Sequence, residues 1–265
     1  MTGHNTFCFK RFTVDQEGCA MKVGTDGVLL GAWCRVNPRR DEVLLDMGTG
    51  TGVIALQLAQ RTESVGAGAG AVIEAVEIDP AACGAARRNF EASGWAGRLV
   101  MHPPVSVQEF ARTTQNRFDR IVSNPPYFTE SPALPDTRRN TARHTASLSY
   151  DDLVRCCFGL LNPAGRLSLI LPAGAATRAM IAAAVSAGFL PSRLTEVHST
   201  PRSGPRRTLV EFSRAADITL TALRTDGTTR SAVVPESTSL TIGGNAPGTF
   251  SEEYRALTRD FYLNL

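Results

Sequence analysis

Several common sequence signals are absent from this chain of 265 residues. No apolar run reaches the length of a membrane span, and the first residues lack the charged and apolar regions of a signal peptide. The six cysteines form no C-x-x-C pair and have no histidines at zinc-ligand spacing. We therefore expect a cytoplasmic protein with no metal site and no disulfide framework, in which most cysteines are small core residues.

Charge of one sign is not in large excess, since the formal net charge is +3. The placement of the basic residues is more informative than their number. One group is Arg138, Arg139, Arg143 and His144, and a later group contains Arg206 and Arg207. Arginine pairs bidentately with phosphate and stacks on bases, so these groups favour a polyanionic partner. Ordinary solvated arginines are the alternative for each of them.

The chain is long enough for one large domain with a proper core. Strand and helix signals alternate between residues 41 and 214, which predicts an α/β fold with a doubly wound, mostly parallel sheet. Residues 1–40 and 215–265 are predicted to be extensions that pack on this domain, the second with a strand or two of its own. Seven strands are predicted for the domain, at residues 42–47, 72–78, 98–101, 118–123, 166–171, 194–198 and 207–212.

A glycine-rich loop follows the first strand of the domain. Asp46 precedes Gly48, Gly50 and Gly52, and a helical pattern begins directly after them. Glycine lets a backbone approach a ligand closely, and a helix N-terminus offers free N–H donors. By itself this pattern fits either a nucleotide fingerprint or a tight turn. Glu77, at the end of the second predicted strand, is placed to accept hydrogen bonds from both hydroxyls of a ribose.

A second motif, Asn124-Pro125-Pro126-Tyr127, follows the predicted strand 118–123. Ligands of open α/β sheets bind at this carboxyl edge. The Asn124 carbonyl oxygen can accept a hydrogen bond from an exocyclic NH2 group, both prolines hold a rigid turn, and the Tyr127 ring can stack on a base. A proline loop that only ends a strand is the alternative interpretation.

The order of these motifs resembles that of Rossmann-like S-adenosylmethionine-dependent methyltransferases that methylate amines. The glycines do not fit the G-x-G-x-x-G pattern and no hydride-relay residue is present, so NAD is disfavoured. The resemblance implies that residues 41–214 bind S-adenosylmethionine. The glycine loop would then line its methionine part, Glu77 would hold its ribose, and Asn124 would bind the amine. Ser106 stands where many relatives have an acidic residue, so adenine recognition is expected to be looser or to use backbone groups.

Both ends of the chain carry further similarity. The stretches 9–12 and 21–33, the motif extended to Phe128, Arg143-His144, and the tail 257–263 resemble the bacterial tRNA(Val) adenine-N(6)-methyltransferases. This resemblance covers essentially the whole chain and implies methylation of the adenosine next to the anticodon of a valine tRNA. It also implies that Pro126, Tyr127, Phe128 and the two basic groups face RNA. Thr25 or Asp26 is expected to cap a short helix, or to cover the cofactor.

Other functions stay open at this stage. Protein glutamine methyltransferases use the same four-residue motif on a planar amide, and ribosomal RNA or DNA adenine is a nearer rival. A nucleic-acid-binding protein that has lost catalysis is the non-enzyme alternative. The sequence leaves the oligomeric state open, with a monomer as the default.

Overall fold

The computed structural model describes residues 5–63, 70–126, 148–217 and 235–264. The strands in these ranges are β1 Thr6–Cys8, β2 Thr13–Asp15, β3 Val43–Met47, β4 Val72–Val76, β5 Leu99–Met101, β6 Phe118–Ser123, β7 Leu161–Pro172, β8 Phe189–His198, β9 Pro205–Arg214 and β10 Glu236–Thr241. The α-helices are α1 Thr25–Trp33, α2 Val53–Arg61, α3 Pro80–Glu91, α4 Val107–Thr113, α5 Tyr150–Leu160, α6 Ala175–Ser186 and α7 Glu252–Thr258. None of these helices is both long and apolar enough to cross a membrane.

Eight strands form the central sheet in the order β10-β8-β9-β7-β6-β3-β4-β5, while β1 and β2 form a separate hairpin. All neighbours in the large sheet are parallel except β9, which is antiparallel to both β7 and β8. The predicted α/β fold with a doubly wound, mostly parallel sheet is confirmed. Because β9 runs the other way, its first residues lie at the edge where the other strands end.

The sheet has a hydrophobic core on each face. Along β3, Leu44 belongs to a core that includes Ile54 of α2, whereas Leu45 belongs to a core that includes Leu153 of α5. This alternation follows from the two-residue period of a strand. Helices α1, α2, α3 and α7 contribute to the first core, and α4, α5 and α6 contribute to the second. The carboxyl edge of the sheet is therefore left for loops.

The predicted number of seven strands was one too low. The additional strand, β10, pairs in parallel with β8 along its whole length. Its sequence is mostly polar and most of its residues are exposed, so it lacks the apolar alternation by which the other strands were found. The second strand of the domain also ends at Val76 and not at Ile78.

The two ends of the described chain meet on the first core. Phe9 and Tyr262 form an antiparallel bridge, and the Lys10 N–H donates to the Phe261 carbonyl at 2.7 Å. The Phe9 ring stacks on Phe12 and on Tyr262. The extensions are thus joined to each other as well as to the sheet.

Candidate functional site

Three strands end in register at the centre of the carboxyl edge. Met47 of β3 is level with Val76 of β4 on one side and with Ser123 of β6 on the other. The next residue of each chain segment is Gly48, Glu77 or Asn124. The register therefore brings together the glycine loop, the acidic residue and the Asn-Pro-Pro motif, which are far apart in the sequence.

The glycine loop adopts backbone conformations that favour glycine. Gly48, Gly50 and Gly52 have φ values of 74°, 56° and 84°. A Cβ added at Gly52 would lie 2.6 Å from Phe90, whereas at Gly48 and Gly50 it would enter open space. The loop closes on β4, since the N–H groups of Gly48 and Thr49 both donate to the Val76 carbonyl. α2 begins directly after Gly52, which has no side chain to cap it, so the first N–H donors of the helix, other than that of Ala55, face the edge.

Asp46 lies beneath this loop and is fully buried. Its Oδ2 accepts hydrogen bonds from the Thr49 hydroxyl at 2.6 Å and the Ala55 N–H at 3.1 Å, while Oδ1 has no partner among the described residues. Burial raises the pKa of the Asp46 carboxyl to about 7, although both hydrogen bonds favour the ionised form. A cation near the Asp46 Oδ1 atom would stabilise the carboxylate.

Glu77 is the first residue beyond β4, one position after the observed end of the strand. Its Oε1 accepts from the N–H groups of Ile78 and Asp79, and its Oε2 accepts from the Gly50 N–H at 3.0 Å. These bonds use three of the roughly four acceptor positions of a carboxylate. Glu77 therefore ties the loop after β4 to the glycine loop and retains acceptor capacity.

Ser106 lies beside Glu77 and begins α4. The Val105 N–H donates to the Glu77 carbonyl at 2.9 Å, and the Ser106 hydroxyl accepts from the Glu109 N–H at 3.2 Å as a helix cap. Next to them Ile78 is 52% exposed, which is unusual for a large apolar side chain at a polar edge. Sequence reasoning missed Ile78 because it was assigned to the strand; an apolar residue directly after the acid was the available signal.

Asn124 follows β6 on the other side of the glycine loop. Ser123 fixes the end of that strand, since its hydroxyl donates to the Met47 carbonyl at 2.7 Å. Asn124 is half-buried, Pro125 is buried and Pro126 is exposed. Within residues 5–63, 70–126, 148–217 and 235–264, no hydrogen bond engages the Asn124 side chain. The Asn124 amide thus lies at the edge, and none of those residues uses its hydrogen-bonding groups.

Comparison with known proteins identifies the family. A family model described as "Methyltransferase small domain" matches residues 29–182. Proteins of Parabacteroides distasonis and Phocaeicola vulgatus are 40% and 41% identical to the chain, each over 98% of both chains, and both are called tRNA1(Val) (adenine(37)-N6)-methyltransferase. This chain belongs to that methyltransferase family.

Solved structures agree on the fold of the methyltransferase. A predicted O-methyltransferase of Agrobacterium tumefaciens superposes with a TM-score of 0.62 at 19% identity, covering 89% of this chain and 96% of the other. The T. thermophilus 16S rRNA N2 G1207 methyltransferase, in complex with AdoMet and guanosine, gives a TM-score of 0.52 at 21% identity, covering 79% of this chain and 50% of that one. At such identities the likeness concerns the fold alone.

Part of the sequence-predicted substrate surface of this family member lies outside the described residues. These positions are Tyr127, Phe128, Arg138, Arg139, Arg143 and His144. Arg206 and Arg207 are described, and the reversed direction of β9 brings both to the carboxyl edge, with Arg207 level with Pro172 at the end of β7. Arg206 is exposed.

Arg207 has a structural partner that the sequence did not reveal. Its Nε lies 2.7 Å from Oδ2 of Asp26, in the first turn of α1. The expectation that Thr25 or Asp26 caps this helix was wrong, because the N-cap is Gly24 and no side chain caps it. Asp26 instead fixes α1 to the start of β9, which leaves less of the Arg207 charge available to a ligand.

The N-terminal hairpin supports the methyltransferase's glycine loop through Asn89 of α3. The buried Asn89 amide donates to the carbonyls of Thr51 and Asp15, both at 2.9 Å, and accepts from the Asp15 N–H at 2.8 Å. Asn89 was not predicted, since nothing in the local sequence of α3 distinguishes it. In the described part of the chain, no cluster of three or more metal-ligating side chains occurs.

Proposed function

We propose that this protein transfers a methyl group from S-adenosylmethionine to the exocyclic amino group of an adenosine in tRNA, namely adenosine 37 of a valine tRNA, as in the names of its relatives. The observation that carries the proposal is the register of Met47 with Val76 and Ser123. It supports a cofactor site and an amine site that share one edge and meet at Asn124. Methyl transfer needs this adjacency, because the two reactants must be held in line.

The residues over β3 and β4 fit S-adenosylmethionine. The partnerless Oδ1 of buried Asp46 suits the positive charge of an amino-acid ammonium group, and the open space at Gly48 and Gly50 suits a ligand lying against the backbone. Glu77 retains acceptor capacity for ribose hydroxyls. Ile78 offers an apolar surface to an adenine ring, with Ser106 close by. When bound, the cofactor would supply an electrophilic methyl group: the N–C bond would form as the C–S bond breaks, and the positive charge would pass from the cofactor sulfur to the nitrogen. The methylated nitrogen would then lose its proton readily to water, so no strong protein base is needed at the start.

Asn124 and Pro125 make the amine more reactive. The amino nitrogen of adenine is a poor nucleophile because its lone pair is delocalised into the ring. The Asn124 Oδ1 and the Pro125 carbonyl each accept a hydrogen bond from one N–H of the amino group. These two bonds favour a more tetrahedral nitrogen with an available lone pair. Tyr127 stacks on the adenine once it has left the anticodon-loop stack. These groups position the nitrogen, and positioning supplies much of the rate.

The tRNA substrate is favoured over ribosomal RNA, DNA and glutamine by relatives that match along almost the whole chain, both terminal extensions included. Arg206, exposed at the same edge, supplies a charge for the RNA backbone. The arginines and the histidine after the motif are proposed to extend this basic surface.

Methyl transfer to defined substrates tests the proposal. The purified protein is incubated with labelled S-adenosylmethionine and a valine tRNA transcript, with a matched transcript in which adenosine 37 is replaced by guanosine as the control. We expect label in the first transcript only, and N6-methyladenosine on nuclease digestion. Label in ribosomal RNA or in a release-factor protein, with none in the tRNA, would reject the proposal.

A further inference from the structure

Two neighbouring cavities lie beyond the candidate site, near the β10 side of the sheet. A cavity of about 590 Å³ is formed between the β8–β9 loop and the turn after β10. A second, of about 470 Å³, lies between that turn and the end of the chain. Gly248 lines both cavities. The two cavities therefore adjoin at Gly248, and together they are called here the terminal groove.

All charged residues that line the terminal groove are cationic: Arg202, Lys10, Arg255 and Arg259. Among the described residues, neither Arg202 nor Arg255 has an ion-pair partner. Arg259 has only Asp260 at 3.9 Å, with both side chains 75% exposed, and such pairs contribute little. Glu252 and Glu253 lie nearby in α7 but line neither cavity. Among the described residues, the charged side chains that line the groove itself are therefore all cationic, and the nearest acidic side chains, including Asp260, lie outside it.

The smaller cavity has exposed apolar side chains in its wall, and backbone hydrogen bonds fix the turn beside it. Phe250 is 39% exposed and Leu263 is 53% exposed, and both line the smaller cavity with Tyr262. The turn between the cavities is held by hydrogen bonds from the Gly243 N–H to the Ser199 carbonyl at 3.0 Å and from the Gly244 N–H to the Thr249 carbonyl at 2.8 Å. Cations beside a turn fixed by hydrogen bonds suit the sugar–phosphate chain of a nucleic acid, and the exposed Phe250 ring offers a surface on which an unpaired base can stack.

The position of the groove also suits RNA. The candidate cofactor residues lie over β3, β4 and β5, so a large substrate that reaches Asn124 after β6 would extend over β7, β9, β8 and β10. Arg206 lies at the start of β9 and Arg202 in the preceding loop, and the turn after β10 continues the same line. Arg206 and Arg202 therefore lead from the candidate site to the larger cavity, and Arg255, Arg259 and Lys10 line the smaller cavity beyond Gly248.

We propose that the terminal groove binds the sugar–phosphate backbone of the substrate RNA away from the methylated adenosine. This inference rests on the proposed function, because that function supplies the RNA. The groove then determines preference for a folded tRNA over a short strand, while Asn124 determines where the methyl group goes. Phosphates displace counterions when they bind such cations, so the contribution of the groove falls as salt rises.

Charge reversal with a matched control tests the groove. The groove variant carries both Arg255→Glu and Arg259→Glu. The control carries both Arg39→Glu and Arg40→Glu, which make the same charge change at exposed arginines before β3, at the opposite edge of the sheet. Fluorescence anisotropy gives Kd for a valine tRNA transcript over a range of salt. We expect the groove variant to bind about tenfold more weakly, with a log Kd against log salt slope lower by about 2, and the control to change much less.

A second readout uses two RNAs. We measure kcat/KM for the transcript and for a short oligonucleotide that bears the same adenosine. The ratio of the first value to the second should fall about tenfold in the groove variant and should keep its wild-type value in the control. Arg255→Ala with Arg259→Ala repeats the test if the reversed pair melts early. Equal losses of RNA affinity in the groove variant and the control would overturn the proposal. The proposal would also be overturned if the groove variant bound RNA as well as the wild type did but no longer bound a polyglutamate peptide. Wild-type protein that binds RNA through the groove but transfers no methyl group would instead overturn the proposed function.

Discussion

The carboxyl edge of the sheet is built differently over β3 and β4 than over β9, β8 and β10. Over β3 and β4 the chain uses backbone groups: Glu77 accepts from three N–H groups, and Gly48 and Gly50 present bare backbone. Over the other strands it uses charged side chains, with Arg202 exposed on the β8–β9 loop and Arg206 exposed at the start of β9. One half is a fixed frame and the other a charged surface.

This difference matches two kinds of ligand. A small molecule of constant shape is recognised by backbone groups that cannot move, whereas a polyanion is held by charges that follow a flexible chain. Binding in the first half should respond to small changes of shape and little to salt. Binding in the second half should respond to charge and salt and little to shape. The following predictions test this division from the largest effect to the smallest.

Asn124→Ala, at the boundary between the halves, should have the largest effect. Loss of the amide that holds the amine is expected to lower kcat by about 10²–10³-fold, similar to removal of one preorganised hydrogen-bonding group in other active sites. S-adenosylmethionine affinity, measured by calorimetry, should stay near the wild-type value. Asn116→Ala, an amide substitution before β6 at the opposite edge, is the control. Normal turnover by the Asn124 variant, with lost cofactor binding, would contradict this role.

Gly50→Ala tests the rigid half. The substitution places a methyl group in the open space above the loop, where the cofactor is proposed to lie, and we expect about tenfold weaker cofactor binding from this obstruction. The left-handed conformation adds a cost of about 1–2 kcal/mol to folding, in the free and the bound protein alike. Gly94→Ala is the control, since its Cβ also meets open space and its φ is not in the left-handed region. Calorimetry measures both Kd values. Equal affinities of the two variants would show that the glycine loop does not contact the cofactor.

Asp46→Asn tests the buried charge. The pKa of Asp46 rises from 3.8 to about 7 on folding, so between these values the folded state binds more protons than the unfolded state. Stability of the ligand-free protein should therefore fall as pH rises, by at most about 1.4 kcal/mol per pH unit from this group. Thermal melts of the wild type and the variant should diverge across that range. Parallel melting curves would mean that Asp46 does not titrate.

Arg206→Glu should have the smallest effect, confined to the charged half. KM for the tRNA transcript should rise a few-fold at low salt and approach the wild-type value at high salt. The cofactor Kd should not change. Arg207 is a poorer choice, because its reversal also breaks the pair with Asp26. A salt-independent increase in KM would indicate a shape effect instead.

The sequence predicted the elements whose signal is local. The strand 118–123 was predicted with the bounds that β6 has. The motifs at Gly48, Glu77 and Asn124 could be assigned to one edge because parallel strands end together. The family resemblance supplied the substrate.

The remaining features depend on contacts between distant segments. β10 was not assigned to the sheet, because an exposed edge strand needs few apolar residues. Asn89 and Asp26 have partners far away in the chain, and their own neighbours give no sign of them. The direct bond from Gly50 to Glu77 likewise required the fold. Roles in the predicted cofactor and amine sites remain predictions.

The bridge between Phe9 and Tyr262 has a consequence for the order of folding. A ribosome releases the N-terminal part of a chain first, so Phe9 emerges long before the residue that covers it. The contacts of the hairpin with Phe12 and Trp95 can form early, whereas the bridge and the ring stacking with Tyr262 can form only after residue 262 has been made. The hairpin below the glycine loop is therefore fixed in two stages, of which the contact with Tyr262 is the later.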